Sequence, residues 1–114
     1  MKYMMLIQQP TDPETWGKLS EEEQKQVAAD YQALNQTPGV TPGERLQLPE
    51  SATTVRVQDE KTLITDGPFV SVKEALGGWL FYEADDLDAA IELASTIPAA
   101  RMGGAVEIRP FMGS

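Results

Sequence analysis

Cysteine and histidine are both absent from the 114 residues. Without cysteine there is no disulfide framework, no thiol nucleophile and no thiolate metal site. Without histidine the chain lacks the commonest general base near neutral pH and the commonest metal ligand. Long apolar runs are missing as well, and no segment reaches the ~20 residues that a membrane-spanning helix needs. The opening run from Met1 to Ile7 is short, and Gln8-Gln9-Pro10 offers no small-residue cleavage site, so no signal peptide is expected. Positive charge is scarce: 9 Lys and Arg stand against 18 Asp and Glu, a formal net charge of -9. That charge repels phosphate backbones and anionic headgroups, and the basic residues form neither a run nor a helical face. Nucleic acid and membrane surfaces are therefore not expected partners. A cytoplasmic location, with no metal and no cofactor, is the expectation that follows.

What is present is an ordinary globular balance, 41% hydrophobic and 24% charged, too apolar for a disordered chain. Residues 1–114 read as one domain. Residues 2–8 read as a strand with apolar side chains on both faces, Tyr3, Met5 and Ile7 on one and Met4 and Leu6 on the other. Ser20 with Glu23 predicts a capping box opening a helix, and Val27, Ala28, Tyr31 and Leu34 mark its buried stripe up to Thr37-Pro38-Gly39. Residues 40–52, with Pro42, Gly43 and Pro49, are expected to be mostly loop, with at most a brief strand pairing. Thr53–Val57 and Thr62–Thr65 are β-branched runs that read as a hairpin.

Gly77 to Tyr82 predicts a central strand with bulky residues on both faces. Asp85 or Asp86 then caps a second helix whose stripe is Leu87, Ala90, Ile91, Ala94 and Ile97, ending at Pro98. Ala105 to Arg109 alternates apolar with charged, as a half-buried closing strand does.

Strand, helix, hairpin, strand, helix, strand is the order of an α+β ferredoxin-like split βαβ fold with an inserted hairpin. Two helices cover one sheet face only, yet two strands are apolar front and back. The uncovered face would exceed the patch a soluble monomer tolerates, and pairing with a second copy removes it. A homodimer is expected on that ground.

The stretch Asp66-Gly67-Pro68-Phe69-Val70-Ser71-Val72-Lys73-Glu74 with Gly77-Gly78 resembles the DGPF (DGPFAETKE) family of YCII-related proteins. Met1-Lys2-Tyr3, Ala52 to Arg56, and Pro98 to Arg101 leading into Val106 to Pro110 are similar to it too, so the likeness spans nearly the whole chain. The resemblance implies a dimeric α/β barrel of ferredoxin-like subunits and a largely unassigned function. Members are often encoded beside extracytoplasmic-function sigma factors. A YCII-related dehydrochlorinase works through a His–Asp pair; here the histidine is missing, and only the carboxylate half has a counterpart, Asp66.

Two readings of function follow. In the first the protein is a small-molecule-binding dimer with lyase- or isomerase-like activity, using Asp66 as the catalytic carboxylate and Lys73, Trp79 and Arg101 as ligand-binding residues. In the second it is a non-catalytic accessory or regulatory module that contacts a protein such as a sigma factor. Each site residue also has a structural explanation. Asp-Gly-Pro is turn chemistry. Lys73 and Glu74 suit a solvent-facing turn, and Arg101 complements a helix C-terminus. Trp79, Phe81, Tyr3 and Tyr82 suit core or interface, and Glu107 and Arg109 suit interfacial ion pairs. Gly77-Gly78 lacks the spacing of a phosphate loop and reads as close backbone packing.

Overall fold

The computed structural model describes residues 1–10, 17–67 and 74–113. The elements are β1 (Lys2–Pro10), α1 (Glu21–Asn35), β2 (Val40–Arg45), a 3-10 turn (Pro49–Ser51), β3 (Thr53–Gln58), β4 (Lys61–Asp66), β5 (Glu74–Glu83), α2 (Leu87–Ser95), α3 (Pro98–Arg101) and β6 (Ala105–Pro110). Four strands form an antiparallel sheet in the order β2-β5-β1-β6, which is the ferredoxin-like order, and β3 pairs with β4 alone.

The helices start where their caps dictate. Ser20 Oγ accepts from the Glu23 N–H at 3.1 Å while Glu23 Oε1 accepts from the Ser20 N–H at 3.2 Å, and Asp86 caps α2 by accepting from the Ala89 N–H at 2.8 Å. Both caps satisfy donors that a helix N-terminus otherwise leaves open, the Ser20–Glu23 pair reciprocally. Ile97 then restarts a short helix with Pro98 in its first turn, where a missing N–H costs nothing.

Both helices lie on the Tyr3, Met5 and Ile7 face of β1. Those residues join Leu34 of α1, Leu80 of β5 and Ala90, Ala94, Ile97 and Ala99 in one buried cluster. The small Ala90 and Ala94 let α2 lie close to the sheet. Leu87 and Ile91, expected in the buried stripe, instead flank it and are about half exposed. On α1 only Leu34 is fully buried; Val27 and Tyr31 are half-buried and Ala28 is exposed.

Residues 40–45 are where the brief strand pairing occurs, within a stretch expected to be mostly loop. They form the edge strand of the main sheet, with Val40 opposite Tyr82, Pro42 opposite Leu80 and Arg45 opposite Gly78 across a bulge. Proline is tolerated there because an edge strand can turn its donor-less side outward. The hairpin of β3 and β4 is consequently an addition to the four-stranded sheet rather than part of it. Its turn, Asp59-Glu60, has both residues at positive φ (51° and 64°), and nearly every hairpin residue is exposed.

The face of the sheet away from the helices carries Met4, Leu6, Trp79 and Phe81, and no described element covers it. Met4 sits opposite Phe81, and Leu6 opposite Trp79. The Trp79 and Phe81 rings are 5.2 Å apart, Phe111 meets Phe81 edge-on at 5.4 Å, and the Lys2 ammonium lies 5.0 Å from the Phe81 centroid. Arg109 and Glu107, 3.9 Å apart, stand beside this apolar strip.

Candidate functional site

Helix α1 is anchored at its C-terminal half, where Leu34 enters the core and Asp30 pairs with Arg101 of α3. Its N-terminal half, Glu21 to Gln26, is exposed throughout. Beneath the helix the strand β5 has Gly77 and Gly78 where other strands carry side chains. A helix held at one end above a floor lacking side chains leaves a gap, and a cavity of about 520 Å³ occupies it. That is within the range of small-molecule sites.

The floor is Ile7, Leu80 and the two glycines; Leu19, Val27 and Tyr31 form the helix side; Gln9, Gly43, Glu44 and Arg45 close the sheet edge. A Cβ on Gly78 would find its nearest neighbour, the Glu44 carbonyl, at 3.5 Å, an ordinary contact, so the position is open rather than crowded. Gly77 packs against the Gln9 side chain, at 2.8 Å from the site a Cβ would occupy. The close backbone packing expected of the pair is therefore found at neither: Gly77 meets a side chain and Gly78 has only an ordinary backbone contact.

The Tyr31 hydroxyl oxygen is buried and has no hydrogen-bond partner among the described residues. Burial pushes its phenol above the ordinary value, while the nearby Gln9 side chain and the positive charge of Arg45 oppose that rise. An unmet buried hydroxyl is costly. Its oxygen has almost no accessible surface, so the Tyr31 ring and not its hydroxyl faces the cavity.

The residues proposed from sequence are dispersed. Asp66 ends β4, exposed and in register with Thr53, and is not part of the cavity wall. The bend after it is held by the Gly67 N–H donating to Ala52 O at 2.7 Å and by the Thr54 hydroxyl donating to Gly67 O at 2.8 Å, with Gly67 at φ 103°. Lys73 lies outside the described residues. Arg101 is taken up by Asp30. The Gln26 amide, donating to Asp30 at 2.9 Å, and the Arg101 guanidinium hold the Asp30 carboxyl below its ordinary value. Trp79 is part of the cavity wall, although its ring stacks with Phe81 on the opposite face. Tyr31 and Arg45 were not singled out as site residues: one reads as a core position of a helix, the other follows the loop signal Pro42-Gly43.

Among the described residues no group of acidic side chains is arranged to hold a metal ion, and no helix is long and apolar enough to cross a membrane.

Fold and cavity together define a class, a ferredoxin-like α+β protein with a ligand-sized space between its first helix and its sheet. The chain belongs to the YCII-related domain family, whose model matches residues 1–112. It is also similar to an uncharacterised protein of Rhizobium meliloti (strain 1021), 31% identical over 97 residues, which is 81% of this chain and 78% of that protein.

Proposed function

We propose that this YCII-related protein is a cytoplasmic homodimer that binds a small molecule between α1 and the sheet. The observation that carries the reading is the cavity itself, whose wall joins Ile7, Leu19, Val27, Trp79 and Leu80 with a few polar groups, Gln9, Gln24, Asn35, Glu44 and Arg45. Such a mixture, apolar walls with few convergent polar groups, is what recognises a small organic molecule. The uncovered apolar sheet face supports the dimer. A thermal-shift screen against metabolites tests the binding: a ligand that binds only the folded state raises the melting temperature, by about 2.7 kcal/mol of stability at 100 times its Kd. If no metabolite shifts the melt and calorimetry detects no binding, the reading fails.

The second reading, a non-catalytic module contacting a protein, draws on the hairpin. Val55, Val57 and Ile64 share one of its faces and are 58%, 71% and 67% exposed. It expects Val57→Lys with Ile64→Lys to abolish binding to a purified extracytoplasmic-function sigma factor while the cavity is untouched. For the carboxylate at Asp66, Asp66→Asn is the test: unchanged ligand affinity and turnover would remove it from any catalytic role.

A further inference from the structure

Strand β5 runs between β1 and β2, and an inner strand ordinarily carries β-branched or aromatic side chains throughout. It has two glycines instead. Gly77 has a local reason: it is the extra residue where the register shifts, with Gly78 facing Ile7 and Leu76 facing Gln8, and the Gln9 side chain fills the place of its missing Cβ. Gly78 has none. Its φ is not positive. A Cβ there would meet only the Glu44 carbonyl oxygen, Ile7 Cδ1 and Arg45 Cα, at 3.5, 3.9 and 4.0 Å. Folding alone therefore favours a side chain at this position, because glycine loses more freedom on folding than any other residue. In register with Ile7, that side chain would stand on the helix side of the sheet, where the cavity is.

Building on the binding proposed above, we infer that Gly78 is the position that keeps this site open, and that the ligand is an uncharged planar aromatic compound lying on the bare Gly77–Gly78 backbone beneath the Tyr31 ring. A strand without side chains is a flat floor that a ring can approach closely. The Tyr31 ring faces the same space and Trp79 is part of its wall, and contact between aromatic rings contributes beyond the area it buries. The polar groups of the wall carry no net charge. Glu44 and Arg45 offset each other, and Gln9, Gln24 and Asn35 are carboxamides, which both donate and accept.

Calorimetric titration at pH 7 with 2-naphthol, its saturated counterpart decahydro-2-naphthol and 2-naphthoate, together with thermal melts of Gly78→Ala and Gly78→Val, tests this. The wild type is expected to bind 2-naphthol several-fold more tightly than either of the other compounds. Gly78→Ala should melt at or above the wild-type temperature yet bind 2-naphthol about tenfold more weakly, since the added methyl overfills the occupied site. Gly78→Val should abolish binding. A lowered melting temperature for Gly78→Ala would assign the glycine to folding and overturn the inference. Wild-type affinity in Gly78→Ala would overturn it too, with the binding reading intact. If the saturated alcohol or the naphthoate binds as tightly, or the metabolite screen yields only puckered or charged ligands, the ligand class is wrong although the cavity still binds. If nothing binds at all, both fall together.

Discussion

Tyr31 has a hydroxyl that serves the folded chain poorly, since it is desolvated with no hydrogen-bond partner of good geometry among the described residues. Tyr31→Phe is therefore expected to leave the unliganded protein as stable or about 1 kcal/mol more stable, measured by urea denaturation at pH 7. The raised phenol pKa has a sign that can be worked out. The folded state holds this proton more tightly than the unfolded state, so its contribution is intact below the ordinary phenol value and is lost as pH rises through the folded one. Wild type minus Tyr31→Phe should thus lose stability above about pH 10, as melts from pH 8 to 11 would record. Asp30 behaves in the opposite sense. Its lowered pKa means a contribution present above the ordinary carboxylate range and lost as pH falls through it. Arg101→Ala should flatten part of the stability decline between about pH 4 and 2, and equal acid profiles for the two proteins would count against the tie between α1 and α3. Neither pairing is legible in the sequence. Asp30 and Arg101 are 71 positions apart, and the periodicity that put Tyr31 on the inner side of a helix says nothing of the floor beneath it.

The helices and most strands follow from local chemistry: the Ser20–Glu23 box, the Asp86 cap, the alternation of Val106 and Ile108 with Glu107 and Arg109. Strand β2 does not, because Pro42 and Gly43 are loop formers and only an edge position with a bulge accommodates them. Gly43 is required by contact rather than by its dihedral angles. A Cβ there would sit 2.0 Å from the Trp79 carbonyl oxygen and 2.4 Å from its ring. Gly43→Ala must push β2 off β5, and overpacking of this kind costs about 3 kcal/mol, read as a lowered urea midpoint together with weakened ligand binding. A wild-type midpoint would show that the strand edge yields freely. The hairpin was legible as an element, its detachment was not: β-branched residues predict pairing between neighbours in sequence but not whether a third layer receives them.

The whole chain has a radius of gyration of 16.1 Å, against about 13 Å for a compact chain of this length. The excess fits a hairpin that stands off a thin, two-layer body whose uncovered face is apolar. Packing that face against a second copy is the arrangement proposed, and it makes Phe81 central. Phe81→Asp is expected to give a monomer by sedimentation at micromolar concentration where the wild type is a dimer; two proteins of equal mass would place the pairing surface elsewhere. Two-faced strands were what made this expectation available from sequence, since both β1 and β5 carry bulky apolar residues on the side the helices leave bare.

The cavity opens under α1, on the side of the sheet opposite Met4, Leu6 and Phe81. In a back-to-back pair the two openings look outward, away from each other. The proposed ligand uptake and subunit pairing then meet at Trp79, which lies on the bare face and also lines the cavity, and saturation is expected at one molecule per chain.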